Sequence, residues 1–308
     1  MITVQSISKY DKTQPAVITI GTFDGVHIGH RKILERLIND AKETNRVATV
    51  LTFFPHPRMV LQKDSDIKLL NTIDEKIQIL ERLGLDYLVV QPFTKDFSRL
   101  SATEFVRDIL VNSLHTRKVI IGYDHRFGRN RTANITDLIA FGAALEFEVE
   151  EIPAQEIEEV SVSSTKIRQA LQDGDVKTAN KYLGYSYMLT GVVVRGKGLG
   201  KNLDFPTANL HIKESYKLIP RNGVYAIKST LENKTVYGMM NIGFNPTVKG
   251  EDRSIEVHFF EYNKDLYDQS IQVDILDWIR EEHKFDSLQD LKTQLNKDKE
   301  TVLSIISG

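Results

Sequence analysis

The chain contains no cysteine, which excludes disulfides, thiolate metal sites and a cysteine nucleophile together. It has no run of about 18 apolar residues, the length a membrane-spanning helix needs. Its first residues, MITVQSISKYDKTQPAV, lack the charged-then-apolar layout of a secretory signal. Neither sign of charge dominates: 40 Lys and Arg stand against 42 Asp and Glu, for a net charge of −2. Such a balance leaves no electrostatic footprint for nucleic acid or an anionic membrane. Low-complexity linkers and internal repeats are also missing. The expectation is a soluble cytoplasmic protein, a monomer or weak homo-oligomer, whose partners are small molecules.

What is present is enough chain for two hydrophobic cores: 308 residues, 41% hydrophobic. From residue 16 to about 153, the β-rich runs AVITI, VATVLTF, DYLVV, RKVIIGYD and FEVEEIP alternate with helical patterns such as HRKILERLINDAKE. That alternation predicts a Rossmann-like α/β domain with a parallel sheet. In the first helix Ile33, Leu34, Leu37, Ile38 and Ala41 share one face. Two short helices, SSTKIRQALQDGDVKTANKYLG, precede a change of texture to YMLTGVVVRG, GVYAIKSTL, KTVYGMMNIG, SIEVHFFEY and SIQVDILDWI. Strands without intervening helices predict an antiparallel all-β barrel or sandwich. A last helix, with Leu288, Leu291, Leu295 and Val302 on one stripe after a Ser287 cap, should pack on its outside. The expected domains are 1–185 and 186–308.

The stretch GTFDGVHIGH, residues 21–30, follows the strand AVITI and opens the first helix. Ligands of open α/β sheets sit beyond the carboxyl ends of strands, where a helix offers unpaired N–H groups and its positive dipole end. Gly21, Gly25 and Gly29 let the backbone approach a ligand closely, and His27 and His30 add donors suited to phosphate oxygens. On the residues alone, zinc ligation and plain turn histidines remain alternatives, although neither a third ligand nor HExxH accompanies the pair. The dinucleotide pattern GxGxxG is not met.

His27-Ile28-Gly29-His30 resembles the HxGH element of the nucleotidyltransferase superfamily, and VSSTKIRQAL at 162–171 resembles its second phosphate-binding motif. The stretches TFFPHPRMVL, PFTKDFSRLSATEFV and GYDHRFGRNRT are similar to the FAD synthetase module of bacterial bifunctional riboflavin kinase/FMN adenylyltransferases. Physically, PHP sets an extended loop, and Arg126, Arg129 and Arg131 can form a cationic rim for a phosphate-bearing substrate, a solvated charge run being the alternative. The resemblance implies ATP binding by Gly21, Phe23, Asp24, His27, His30, Ser164, Thr165 and Arg168, and FMN binding by Asp124, Arg126 and Asn134. His27 and His30 take the catalytic part, in a direct in-line transfer without a covalent intermediate. The chain departs from the family at His125, where an aromatic is usual, and at Ala133-Asn134, where Gly-Asp is frequent.

In VVVRGKGLGKNLDFPTANL, residues 192–210, three glycines and two lysines precede PTAN. Glycine N–H groups and ammonium charge can lie along phosphates; a hairpin loop needing positive φ is the alternative. The stretch is not a Walker A loop, because GKGLGK is one residue short and Asn202 follows it. With FPTANL it is similar to the riboflavin kinase motif, and GVYA, NIGFNPTV and SIEVHFFEYNKDLYD extend that similarity. The resemblance implies kinase ATP binding by Gly196, Lys197, Gly200, Lys201, Thr207 and Asn209, Mg²⁺ held by Thr207 and Asn209, Glu256 as catalytic base, and flavin contacts from Glu256 and Arg280. Asp204 and Arg195 replace a glycine and a histidine common in the family. Together the motifs imply riboflavin to FMN in the second domain and FMN to FAD in the first, with ATP as co-substrate. Two rivals stay open: a nucleotidyltransferase for another phosphate ester, and a flavin-binding regulator without turnover.

Overall fold

The structure, a computed structural model, describes residues 1–11, 13–62, 66–123, 125–153, 162–196, 205–247 and 250–307, with backbone alone at 245–247 and 250–252. Asp124 and the stretch containing Lys197, Gly200, Lys201 and Asp204 lie outside the described residues. The chain divides into two compact units, Met1–Ser164 and Thr165–Gly308.

The first unit is a six-stranded, wholly parallel sheet in the order β1-β4-β3-β2-β5-β6. The strands are β1 (Ile2–Val4), β2 (Ala16–Ile20), β3 (Val47–Phe54), β4 (Tyr87–Pro92), β5 (Thr116–Gly122) and β6 (Glu148–Ile152). Every residue of β2 is buried, as the central strand of a sheet covered on both faces requires. Helix α1 (Ile28–Glu43) buries Leu34, Leu37, Ile38 and Ala41, each larger side chain contributing roughly 1.5–3 kcal/mol. The expected stripe is thereby present, with Ile33 only half-buried. From β2 the chain runs outward through β3 and β4 and then crosses to β5 on the other side, so the strand order reverses at β2. That switch point is where an open α/β sheet leaves a crevice.

PHP is extended as far as His56 (φ −57°, ψ 137°) and turns helical at its last residue. Pro57 opens the short helix α2 (Pro57–Leu61), and the His56 ring accepts a hydrogen bond from the Arg58 N–H. Proline is suited to the first helical position, where its missing N–H removes nothing. Helix α3 (Ile73–Arg82) follows, with Thr72 and Glu75 forming a capping box.

The second unit closes into a barrel, β10-β11-β8-β7-β12-β9, so of the two expected all-β architectures the barrel holds. Its strands are β7 (Tyr187–Val194), β8 (Ala208–His211), β9 (Gly223–Leu231), β10 (Lys234–Thr247), β11 (Gly250–Phe259) and β12 (Ser270–Arg280). Every described pairing among them is antiparallel, and closure removes the exposed edges an open sheet would present. The helix Val176–Leu183 packs with this unit: Asn180 donates to the Ile275 carbonyl at 2.9 Å and accepts from the Tyr187 N–H at 2.7 Å. The C-terminal helix Leu288–Ser307 starts at the expected cap, Ser287 Oγ accepting from the Asp290 N–H at 3.1 Å. Val302 is buried in a cluster with Phe205, Met239 and Phe260, with Leu291 and Leu295 packed against it. Leu288 leaves the predicted stripe, 69% exposed, because it sits in the first turn, short of that cluster.

Candidate active sites

The turn Gly21–His27 joins β2 to α1 at the switch point. Phe23 (φ 45°), Val26 (φ 36°) and Gly25 (φ 85°) are all left-handed, a conformation that strains the two side-chain-bearing residues and persists only when surroundings impose it. The surroundings do impose it. Gly21 N–H donates to the Leu51 carbonyl at 3.0 Å, and Thr52 Oγ1 and Lys76 Nζ donate to the Thr22 carbonyl at 3.3 and 2.6 Å. The Asp24 carboxylate accepts from the Leu70 N–H at 2.9 Å, and the Asp24 carbonyl accepts from Ser164 Oγ at 2.9 Å. A Cβ at Gly21 would lie 3.0 Å from the Phe23 ring and would press on it.

His27 is the N-cap of α1, its Nδ1 accepting from the His30 N–H at 3.3 Å. Burial pushes its pKa down to about 4, so at neutral pH the ring is uncharged. With Nδ1 accepting, the proton sits on Nε2, and His27 is left with a hydrogen-bond donor there. The His30 ring stacks on it at 3.6 Å. Burial, reinforced by His27 and by the Lys76 ammonium, holds the His30 pKa well below the usual imidazole value. The pair therefore presents neutral N–H donors rather than imidazolium charge.

Ser164 opens the helix Ser164–Asp173, with Thr165 exposed beside it and Arg168 half-buried one turn on. Asn134 caps the helix Ile135–Leu145, its Oδ1 accepting from the Thr136 and Asp137 N–H groups at 2.8 and 3.4 Å. Arg126 is exposed, and the His125 ring lies against Phe127 at 6.3 Å.

In the barrel, register builds the second constellation. Glu256 on β11 is directly opposite Asn209 on β8, and Asn209 is opposite Val194 on β7. Directly opposed residues project on the same face, so a 47-residue sequence separation becomes a neighbour pair. Ile255, Val257 and Phe259 are buried while Glu256 and His258 are half-buried, the period of two that a strand with one inward face shows. Thr207 Oγ1 donates to Glu256 Oε2 at 3.4 Å. The Asn209 side chain packs so tightly on Gly196 that any Cβ there would collide with it. Beyond the pair Val257–Ala208 the ladder stops, and the Pro206 carbonyl, two residues before Ala208, is met by His258 Nδ1 at 2.8 Å. Because that carbonyl only accepts, Nδ1 carries the proton.

Arg280 is engaged elsewhere than in the Glu256 group. Its Nε and Nη2 grip the Asp298 carboxylate of the C-terminal helix at 2.7–3.1 Å, and Nη1 donates to the Glu281 carbonyl at 2.9 Å. Sequence reasoning passed over Lys76 and His258. For Lys76 the signal was available: it shares the buried face of α3 with Ile79 and Leu80, an anomalous place for an ammonium.

These arrangements define a class: a two-site protein, with an HxGH nucleotidyl-transfer turn on a doubly wound sheet and a hydroxyl–carboxylate–amide cluster in a β-barrel. Residues 9–166 match the FAD synthetase family and residues 183–306 the riboflavin kinase family. The bifunctional riboflavin kinase/FMN adenylyltransferase of Listeria monocytogenes is 36% identical over 92% of this chain and 90% of its own. That of Haemophilus influenzae is 36% identical over 96% of each. A crystal structure described as that of a macrolide-efflux protein from Streptococcus pneumoniae superposes with a TM-score of 0.88 at 30% identity, covering 98% of both chains. No helix among the described residues here is long and apolar enough to cross a membrane, and that likeness is one of fold. The chain belongs to the bifunctional riboflavin kinase/FMN adenylyltransferase family.

Proposed function

We propose that this chain makes FAD in two steps at two separate sites: the barrel phosphorylates riboflavin to FMN, and the HxGH site joins FMN to AMP from ATP, releasing pyrophosphate. The functional boundary is placed near residue 185. The observation that carries the reading is that the chain holds two unrelated polar constellations, one at the switch point of its sheet and one on a single face of its barrel.

For adenylyl transfer, an FMN phosphate oxygen attacks the α-phosphorus of ATP in line, and the bond to the β-phosphate oxygen breaks. No protein nucleophile is needed, only positioning and stabilisation of the developing charge. Nε2–H of His27 and an N–H of His30 donate to the α-phosphate oxygens; Ser164, Thr165 and Arg168 hold the departing pyrophosphate, with Gly21, Phe23 and Asp24 shaping the ATP site. Asp124, Arg126 and Asn134 are assigned to FMN by the family resemblance alone. Asn134 does so beside its capping duty.

For the kinase, Glu256 takes the proton of the ribityl 5′-hydroxyl as that oxygen attacks the γ-phosphorus and ADP leaves. The oxygens of Thr207 and Asn209 beside this carboxylate suit a hard cation and are the groups that would hold Mg²⁺. Bound there, Mg²⁺ neutralises phosphate charge. Gly196, Lys197, Gly200 and Lys201 are assigned to the ATP phosphates. Arg280 is assigned to the flavin by resemblance only, since its guanidinium is engaged with Asp298. A cytoplasmic monomer or weak homo-oligomer suits a cysteine-free chain acting on soluble metabolites.

The test is chromatographic separation of riboflavin, FMN and FAD over time with MgATP. His30→Ala is expected to slow FMN adenylylation by about 10²–10³-fold and to leave riboflavin phosphorylation unchanged. Glu256→Gln should do the opposite, slowing FMN formation by at least about 10²-fold. Adenylylation by His30→Ala within about threefold of wild type would remove the histidine from the mechanism, and loss of both steps in either variant would refute two separate sites.

A further inference from the structure

Lys76 is 4% exposed and is the fourth residue of helix α3, immediately after the capping-box Glu75. Both positions count against an ammonium: burial strips its hydration, and the positive end of the helix dipole repels it. A leucine or methionine would serve the stripe shared with Ile79 and Leu80 better. The fold alone therefore gives no reason for a lysine here.

Its surroundings give one. Nζ donates to the Thr22 carbonyl at 2.6 Å, in the middle of the left-handed turn that delivers His27 and His30. From the same turn the Asp24 carboxylate favours its charged form, while burial pulls its pKa down to about 8. From α1, His30 feels the ammonium as a positive charge. On its own helix, the Glu75 carboxylate is tied back to the Thr72 N–H at 3.0 Å. The two histidines are neutral, so they bring hydrogen-bond donors but no net charge to a reaction between two phosphate groups. A fixed cation behind the turn supplies what they lack.

We propose that Lys76 is a further positioning residue for adenylyl transfer: its ammonium pins the strained turn that carries His27 and His30 and sets a positive charge behind them, toward the triphosphate of ATP. The assignment rests on the reading that this turn performs adenylyl transfer.

Lys76→Met keeps the length of the side chain and removes the charge. In the full chain its kcat for FAD formation from FMN is expected to fall at least tenfold, KM for FMN and ATP to stay within about threefold, and riboflavin phosphorylation to be unaffected. A structural lysine could produce part of that result, so a second readout is needed. The NMR titration midpoint of the Lys76 ε-methylene in the wild-type chain, near pH 8 without nucleotide, should rise when MgATP is bound in the absence of flavin, by at least a tenfold gain in proton affinity. A Lys76→Met rate within threefold of wild type overturns the proposal. So does a midpoint that ignores ATP, whatever the variant does, and this second measurement decides the matter if Lys76→Met does not fold. His30→Ala in the same assay separates the two failures. If it too leaves adenylylation intact, the site has been misplaced; if it abolishes adenylylation while Lys76→Met does not, only the lysine has.

Discussion

His27 does two jobs that set opposite demands. As N-cap it accepts the His30 N–H through Nδ1, a task ordinarily given to Ser, Asp or Asn; as a phosphate donor it must keep a proton on Nε2. Burial satisfies both by keeping the ring neutral, and this has a measurable consequence for stability. The folded-state pKa of about 4 lies below the unfolded value of about 6.5, so between those limits the unfolded chain binds more protons. Stability is then complete above about pH 6.5 and declines as the pH falls toward 4, by at most about 3 kcal/mol from this group. His27→Asn, which still caps but does not titrate, should flatten part of that decline. Chemical denaturation of both chains at pH 7 and pH 4.5 measures the difference. The HxGH spacing was legible in sequence; the neutrality of the histidines was not, since it depends on what encloses them.

At the scale of elements, an ion pair fastens the C-terminal helix to β12. Asp298 is 1% exposed and receives three charge-assisted contacts from Arg280, with Gln294 Nε2 donating to the same carboxylate at 2.8 Å. Breaking such a pair from one side strands a buried charge, so Arg280→Met is expected to destabilise the barrel unit by about 3–5 kcal/mol. Replacing both partners with apolar residues should recover much of that loss. Thermal unfolding of the single and double variants decides it; a single variant as stable as wild type would mean that the helix is held by Val302, Leu291 and Leu295 alone. The helix and its Ser287 cap were readable from spacing. The ion pair was not, because Arg280 sits in a strand pattern that gives no sign of its partner on the following helix.

Over the whole molecule, the product of the barrel's step is the substrate of the other. A mixture of His30→Ala and Glu256→Gln chains is therefore expected to convert riboflavin to FAD, with free FMN passing through solution and peaking before FAD appears. If each variant keeps its own half-reaction and yet the mixture makes no FAD, FMN does not leave the chain that forms it. This outcome does not depend on how the two units are arranged.

Element order, the change from alternating α/β to unbroken β, and the motifs HIGH, SSTKIR, PTAN and EVH were all determined by sequence, because periodicity and turn chemistry act over a few residues. What the tertiary structure decided were the partnerships across long separations. Glu256 meets Asn209 only because a closed barrel places β11 beside β8, and Lys76 reaches Thr22, 54 residues earlier, only where α3 packs behind the β2–α1 turn. A linear pattern records which face a side chain takes on its own element. The groups that share its space are fixed by sheet order and register, and those same groups set its charge and its chemistry.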